Sequence, residues 1–153
     1  MPAAFDAIVI GTGQAGPALA ARLSGAGMKV AVIEKHKFGG TCVNDGCTPT
    51  KTLIASAYAA RMAARAAEYG VEISGKPRVD MRRVKARKDA VVAASSGNVE
   101  KWMRESQGVT VFRGHARFTE KNTVKVNGEE LAAQNIFIDV GGRPLAPKMP
   151  GLE

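Results

Sequence analysis

Two cysteines, the only ones in the chain, lie five positions apart in the stretch GGTCVNDGCTPTK, which covers residues 39–51 and ends on a lysine. Four roles are open for them: a metal site, a structural disulfide, a pair of buried apolar residues or a reactive dithiol. A closed zinc site takes four ligands, and His36 and His115 stand at no recognisable spacing from the cysteines, so we expect no metal site. A disulfide closing so small a ring stabilises a protein by only about 2 kcal/mol. Free cysteine is often buried as a small apolar side chain, so that role stays open.

The residues between and after the cysteines favour the reactive dithiol. In a straight helix Cys42 and Cys47 would be separated by a rise of about 7.5 Å, beyond the usual reach of a disulfide. Asn44, Asp45 and Gly46 are turn formers, so we expect the chain to curl there and bring the two sulfur atoms together.

A helix is predicted directly after the second cysteine, with Thr48 as its N-cap and Pro49 as its first residue. The positive end of such a helix lowers the pKa of a nearby thiol, so Cys47 is expected to favour its thiolate form. Lys51 then lies in the first turn, where a cation opposes the helix dipole. We therefore expect an anion near Lys51, either a thiolate or a reduced cofactor; the alternative is that Lys51 points into water.

A glycine motif near the N-terminus predicts a dinucleotide-binding site. Gly11, Gly13 and Gly16 match GxGxxG, and they follow the apolar strand FDAIVIG and open a helix within GQAGPALAARLSGAG. A second strand, MKVAVIE, ends on Glu34, which would accept hydrogen bonds from an adenosine ribose. GxGxxG also occurs by chance, but strand, helix and acid together favour the dinucleotide site. An acid repels a 2′-phosphate, so NADP is the least favoured ligand, while FAD and NAD remain.

The element pattern predicts an α/β fold that begins with a βαβ unit. Helices are expected over residues 48–69, stopped by Gly70, and from Asp80 to about Glu105. Four short strands follow, in VTVFRG, HARFTE, TVKVNG and NIFIDV. The prolines at every third position of GGRPLAPKMPGLE predict an extended linker at the end of the chain.

Composition excludes several classes of protein. The chain has 153 residues, one domain's length, and 45% of them are hydrophobic. Two cysteines point to a reducing, cytoplasmic compartment rather than a secreted disulfide scaffold. Neither a signal peptide nor a transmembrane segment is expected, so we expect no membrane partner.

The basic charge of the chain is a local feature. Of the net charge of +8, residues 76–104 supply +6, from nine basic and three acidic side chains. The segment RRVKARK, residues 82–88, has no interleaved aromatic residues, and an apolar face accompanies it on the same helix, formed by Met81, Val84, Val91 and Val92. We interpret it as the solvated face of a helix and expect no nucleic-acid partner.

The motifs GTGQAG, GGTCVNDGCTPTK, RGHARF and VGGRP, in this order, resemble the flavoprotein (pyridine nucleotide) disulfide oxidoreductases. This is the family of glutathione reductase, dihydrolipoamide dehydrogenase and mercuric reductase, and the wording GCTPTKTL is most similar to the mercuric-reductase-like branch. The resemblance implies a Rossmann-like FAD/NAD(P)-binding fold with a parallel sheet, flanking helices and a small antiparallel β-meander. It also implies electron transfer from NAD(P)H through FAD to a redox-active CxxxxC disulfide, and then to a small-molecule disulfide or Hg(II)-type acceptor.

The resemblance also implies roles for individual residues. Cys47 would be the sulfur beside the flavin and form a charge-transfer pair with it, Cys42 would be the thiol that attacks the substrate, and Lys51 would lie near the flavin N5. These three are the candidate catalytic residues. The candidate FAD-binding residues are Gly11, Gly13, Gln14, Ala15, Gly16, Glu34, Lys35, Gly40, Thr41, Cys47, Lys51, Gly114, His115, Ala116, Gly141 and Gly142.

The sequence departs from the family pattern at three positions and in length. Asp45 replaces an apolar residue between the cysteines, and Asp139 and Val140 stand where the family has Ala and Thr. We expect residues 1–143 to be the N-terminal portion of an FAD-binding domain, and residues 144–153 to be a linker toward an NAD(P)H-binding domain that the sequence does not include. The resemblance implies a homodimer for the complete enzyme, with a His-Glu pair from the partner subunit, and an inactive isolated chain. The alternatives are a non-catalytic nucleotide-binding module or inactive remnant, and a basic nucleic-acid binder.

Overall fold

A computed structural model of the protein describes residues 1–152. The regular elements follow the chain in this order: β1 Ala3–Ile10, α1 Gly16–Gly25, β2 Val30–Glu34, α2 Gly40–Asn44, α3 Cys47–Ala64, a 3-10 turn Ala66–Tyr69, α4 Met81–Glu105, β3 Val109–Arg113, β4 Arg117–Glu120, β5 Thr123–Val126 and β6 Glu129–Ile138. The predicted βαβ unit is present as β1-α1-β2, and each of the four later strand segments contributes a strand.

The strands form one six-stranded sheet in the order β3-β2-β1-β6-β5-β4. The four strands β3, β2, β1 and β6 are parallel, whereas β5 pairs antiparallel with both β6 and β4. The predicted combination of a parallel Rossmann-like sheet, flanking helices and a small antiparallel meander is therefore confirmed. The carboxyl ends of β1, β2 and β6 lie side by side, which is where ligands of such sheets bind.

The central strands are buried on both faces, as parallel strands require. On one face Ala7, Val9, Val30 and Val32 pack against α1 and α4, with Met103 of α4 fully buried among them. On the other face, Ile8, Ala31 and Ile33 pack against the meander, which is formed by β4, β5 and β6. Their contacts there are Val124, Val126 and Leu131. The meander therefore covers the sheet face that the helices leave free.

The start of α3 differs from the prediction. Gly46 precedes the helix, Cys47 is its first residue and Pro49 is its third, so Thr48 is not the N-cap. Proline is tolerated there because the first N–H groups of a helix have no intrahelical acceptor. At the other end α3 stops at Ala64, and the 3-10 turn carries the chain to Gly70, which has the left-handed φ of 73° expected of a stop residue.

Helix α4 confirms the predicted boundary at Asp80, whose side chain accepts hydrogen bonds from the backbone N–H groups of Arg82 and Arg83. Val84, like Val91 and Val92, is half-buried, but Met81 is 63% exposed, so the apolar face begins one turn later than predicted. Lys85 and Lys88 form ion pairs with Asp89.

The last part of the chain contains little regular structure. Residues 141–149 form neither helix nor strand, and a turn follows at residues 150–151. The linker over residues 144–153 stays a prediction, and its final residue, Glu153, lies outside the described residues. No helix within residues 1–152 is long and apolar enough to cross a membrane.

Candidate functional site

The glycine motif forms the loop between β1 and α1. Gly11 has a φ of 105°, and a Cβ there would overlap the carbonyl oxygen of Asp139 at the end of β6. A Cβ on Gly16 would overlap the carbonyl oxygen of Gly11, so the third glycine lets the helix close onto the strand, as predicted. Gln14 and Ala15 are exposed on the outer side of this loop.

Glu34 lies at the end of β2 beside this loop. Its Oε2 accepts hydrogen bonds from the N–H and the hydroxyl of Thr12, at 3.0 and 2.6 Å, and its Oε1 accepts one from the N–H of His36, at 2.7 Å. The glutamate is 8% exposed and Thr12 is fully buried. From the sequence, Glu34 is expected to bind a ribose. In the structure, its hydrogen bonds with Thr12 also connect the glycine loop to the end of β2. Thr12 was missed, because it stands at a variable position of GxGxxG.

The segment after β3 lies next to Glu34. The N–H of Gly114 donates to the Glu34 carbonyl oxygen at 2.9 Å, and β3 pairs with β2 through Arg113 and Glu34. His115 is exposed, and Ala116 packs against the core under the meander. The candidate FAD-binding residues Gly114, His115 and Ala116 therefore lie at the same edge of the sheet as the candidate ribose acceptor, Glu34.

The residues present fit an FAD on the adenosine side. The backbone of Gly40 packs closely against the backbone of Gly13: a Cβ added to Gly40 would lie 2.8 Å from the Gly13 Cα. A buried carboxylate, Glu34, stands at the strand end, and Lys35 beside it is exposed. Gly141 and Gly142 lie beyond β6 with open space where a Cβ would be. These residues would hold the adenosine and the diphosphate of the dinucleotide.

Asp139 occupies a position that its sequence context did not reveal. Its Oδ2 accepts a hydrogen bond of 2.8 Å from the N–H of Gly16, at the start of α1, and its own N–H donates to the carbonyl oxygen of Ile10 at 2.8 Å. A Cβ on Gly13 would lie 3.0 Å from the same Oδ2. The carboxylate therefore lies against the loop predicted to receive the pyrophosphate.

Helix α2, which carries Cys42, begins directly on this loop. Gly39 precedes it with a φ of 93°, and its N–H donates to the Thr12 carbonyl oxygen at 2.9 Å. Gly40, the first residue of α2, contacts Gly13 as described above. The dinucleotide loop and the cysteine segment are thus one packed unit.

The predicted curl between the cysteines is present. Helix α2 ends at Asn44, the N–H of Asp45 donates to the Thr41 carbonyl oxygen at 2.8 Å, and α3 starts at Cys47. A Cβ on Gly46 would lie 3.2 Å from the carbonyl oxygen of Thr41, closer than an ordinary contact, so glycine eases this close return of the chain. Both cysteines are free thiols, Cys42 half-buried and Cys47 exposed, so the interpretation as buried apolar residues is wrong.

The two thiols interact with each other. The pKa of the Cys42 thiol is raised above its usual value, first by hydrogen bonding with the Cys47 thiol, then by desolvation and by the charge of Cys47. The Cys47 backbone amide and the positive charge of Lys51 act on Cys42 in the opposite direction. The helix start and the lysine, which the sequence associated with Cys47, therefore both stabilise the thiolate of Cys42.

Lys51 lies farther along α3 than predicted. It is the fifth residue of the helix, one turn beyond Cys47, because α3 starts two residues before Pro49. Its side chain is exposed, and its charge nevertheless lowers the pKa of Cys42. Within residues 1–152 no three histidine, cysteine, aspartate or glutamate side chains come together as a metal site would require.

Three further side chains hold the cysteine segment in place; Asn44 was expected only as a turn former, and no sequence motif indicated the roles of Ser96 and Arg87. The Asn44 amide donates to the carbonyl oxygens of Phe38 and Gly40, both at 2.9 Å. Ser96 of α4 donates to the same Phe38 carbonyl oxygen at 2.8 Å. Arg87, also on α4, donates to the carbonyl oxygen of Thr52 in α3 at 3.0 Å and to the hydroxyl of Ser56. The Arg87 side chain therefore links α4 to α3, in addition to contributing to the charged face of α4.

The chain is similar to several curated proteins named dihydrolipoyl dehydrogenase. It is 34% identical over 149 residues to that of Acholeplasma laidlawii, a match that covers 97% of this chain and 44% of the relative. The corresponding protein of Chlorobaculum parvum is 38% identical over 156 residues, covering 99% of this chain and 32% of the relative. The chain thus spans less than half the length of these relatives.

Solved structures and a protein family agree with this similarity. The HOCl-induced flavoprotein disulfide reductase RclA from Escherichia coli, in its Cu(II) complex, superposes with a TM-score of 0.79 at 30% identity, covering 99% of this chain and 31% of that one. Residues 5–153 match the family described as pyridine nucleotide-disulphide oxidoreductase. With its glycine loop, its acid at the end of β2 and its paired thiols, the chain belongs to the pyridine nucleotide-disulphide oxidoreductase family.

Proposed function

We propose that this chain is the FAD-binding and dithiol-bearing part of an NAD(P)H-dependent reductase that acts on a small disulfide or an Hg(II)-type metal ion. The proposal rests mainly on the contact between Gly40 and Gly13. This contact packs α2, the helix that carries Cys42, directly against the dinucleotide loop. A cofactor bound by that loop would therefore lie close to a substrate bound at the thiols.

We assign separate roles to the dinucleotide loop, the two cysteines and Lys51. The backbone of the Gly11–Gly16 loop, with Glu34 and the segment at Gly114, would hold the dinucleotide. When bound, FAD would supply two-electron chemistry between NAD(P)H and the sulfur pair. Cys47 is the proposed cofactor-side sulfur and Cys42 the proposed interchange thiol, with Lys51 supplying positive charge beside them.

The substrate half-reaction follows from thiol chemistry. The Cys42 thiolate attacks one sulfur of the substrate disulfide, forms a mixed disulfide and releases the first substrate thiolate, which takes up a proton. The Cys47 thiolate then attacks the Cys42 sulfur, forms the intramolecular disulfide and releases the second thiolate. Two electrons leave the cysteine pair and reduce one disulfide to two thiols. The attack consumes the Cys42 thiolate, whose formation the raised pKa opposes, and the resemblance implies a base from a partner subunit.

A soft metal ion is the alternative acceptor of the same site. Thiolates are the ligands that such ions prefer. Cys47 is exposed and Cys42 is half-buried, so both sulfur atoms are within reach of a small ion.

Location and assembly belong to the same proposal. A cytoplasmic location is supported by the low cysteine content, two in 153 residues, which is not that of a secreted disulfide scaffold. A homodimeric complete protein is supported by the exposed apolar side chains of Leu53, Ile54 and Tyr58 on α3, which offer a contact surface. We also propose that residues 1–153 alone do not turn over NAD(P)H, since the sequence has no second GxGxxG motif.

The proposal is tested with the purified chain and added FAD. We expect FAD to bind in equilibrium dialysis, and the reduced complex to show a long-wavelength absorption band that is lost in Cys47→Ser and kept in Cys42→Ser. Failure of the chain to take up FAD would refute the proposal that residues 1–153 bind the cofactor. Steady-state reduction of a disulfide or Hg(II) by the isolated chain with NADPH or NADH would refute the proposed need for further domains.

A further inference from the structure

The N-terminus of α1 is capped by a residue that lies 123 positions away in the sequence. The helix has Ala15 at its N-cap, with no side-chain hydrogen bond there and no acidic residue in the first turn. The Oδ2 of Asp139 instead accepts the N–H of Gly16 at 2.8 Å. A carboxylate at this end of a helix interacts favourably with the free N–H groups and with the helix dipole.

The same helix end is the part of the chain predicted to attract a pyrophosphate. Anions bind at helix N-termini because N–H groups and the dipole point toward them. A carboxylate brings negative charge to this helix end, and no ion pair among residues 1–152 includes Asp139. Its charge therefore remains uncompensated by any cation in contact with it.

Asp139 is also held in place rather than free to swing away. Its N–H donates to the Ile10 carbonyl oxygen at 2.8 Å, and its own carbonyl oxygen packs against Gly11. Its Oδ2 lies against Gly13, where an added Cβ would stand 3.0 Å away. The strand end and the loop thus fix the carboxylate against the backbone that would meet the phosphates.

We infer that Asp139 sets the affinity of this chain for its dinucleotide by placing a fixed negative charge, as an internal anionic cap, on the helix end that would otherwise attract the pyrophosphate. The inference rests on the proposed function of this loop as the FAD-binding site. In the absence of ligand, the Asp139 carboxylate stabilises α1 and the glycine loop between β1 and α1. When the ligand binds, the same carboxylate repels its diphosphate, because both are negatively charged. Affinity for diphosphate-bearing ligands is consequently lower than the glycine motif and Glu34 alone would provide.

The test compares Asp139→Asn with the unchanged chain, using three probes: FAD, ADP and adenosine. Asparagine keeps an oxygen that accepts the Gly16 N–H and removes the charge. We expect Asp139→Asn to bind FAD and ADP roughly tenfold more tightly, the scale for removing one like charge a few ångströms from an anion in a partly solvated site. Adenosine, which has no phosphate, should bind equally to both proteins.

Glu130→Gln is the matched control, because it removes the same charge from an exposed residue of β6, the strand that leads to Asp139. It should change each dissociation constant by less than about twofold, since exposed charges far from the ligand are screened. Asp139→Ala, which removes charge and cap together, should unfold at a lower temperature and still bind ADP more tightly than the unchanged chain.

The outcomes separate the two proposals. Equal affinity of the unchanged chain and Asp139→Asn for FAD and ADP would overturn the role of Asp139 and leave the FAD site standing. A gain for adenosine equal to that for ADP would also overturn it, because the effect would then be independent of the phosphates. Absence of FAD and ADP binding by every variant would overturn both the role of Asp139 and the proposed function.

Discussion

The carboxylate of Glu34 accepts hydrogen bonds from both the backbone N–H and the hydroxyl of Thr12, at 3.0 and 2.6 Å. This pair joins the end of β2 to the glycine loop after β1, and it is buried. A residue that the sequence assigns to a ligand is therefore also a structural tie. Substitutions at Glu34 should affect the stability of the empty protein as well as its affinity for a dinucleotide.

Glu34→Gln should destabilise the protein by about 1–3 kcal/mol, the cost of weakening buried hydrogen bonds to a charged acceptor. It should also weaken FAD binding. Urea unfolding and equilibrium dialysis measure the two effects. Thr12→Val separates them, since it removes the hydroxyl and keeps the carboxylate: stability should fall while the ribose acceptor is retained. A Glu34→Gln protein as stable as the exposed control Glu120→Gln would contradict the structural tie.

Gly40→Ala should be more damaging than an ordinary glycine substitution. At Gly40 the φ is 58°, and the new Cβ would lie 2.8 Å from the Gly13 Cα. Gly70→Ala is the matched control, since Gly70 has a φ of 73° and open space around the position of a Cβ. Left-handed strain alone costs on the order of 1 kcal/mol. We expect Gly40→Ala to cost clearly more in urea unfolding; equal losses for the two variants would argue against the close contact of α2 with the loop.

The reactivity of Cys42 toward iodoacetamide should depend on its two neighbours in opposite directions. Because hydrogen bonding with Cys47 is the largest cause of its raised pKa, Cys47→Ala should lower the pKa and speed alkylation at neutral pH. Lys51→Met removes a charge that stabilises the thiolate, so it should raise the pKa and slow alkylation. Well below the pKa, each unit of pKa changes the thiolate fraction about tenfold.

These rates are measured for Cys42 by peptide mass spectrometry across a pH series. Lys121→Met, an exposed lysine in the turn between β4 and β5, serves as the control for loss of one positive charge. A Lys51→Met profile that coincides with the Lys121→Met profile would show that the charge of Lys51 does not reach Cys42.

Arg87→Met should loosen the packing of α3 on α4. The arginine donates to the Thr52 carbonyl oxygen at 3.0 Å, a link between the cysteine helix and the basic helix. Its loss should cost about 1 kcal/mol, less than a buried charged hydrogen bond because the side chain is exposed. Arg83→Met, on the same helix and also exposed, should cost less than about 0.5 kcal/mol. Equal unfolding free energies for the two variants would contradict the link.

Local patterns in the sequence determined the elements and the chemistry of this protein. Apolar strand runs, helix periodicity and glycine stops are local properties, so the βαβ unit, the start of α4 at Asp80 and the curl at Gly46 could all be predicted. The N-terminus of α3 could not be placed, since proline is allowed at any of the first helical positions and Pro49 proved to be the third.

Tertiary structure decided which groups act on one another. The Gly16 N–H meets the carboxylate of Asp139 only because β1 and β6 are parallel neighbours, so that both strands end at the same edge of the sheet. The amide of Cys47 and the charge of Lys51 act on Cys42 only because the chain folds back at Gly46. Residue types and spacing named the candidate chemistry, but hydrogen bonds and charges act over a few ångströms in space, and those distances depend on how the strands pair and the helices pack.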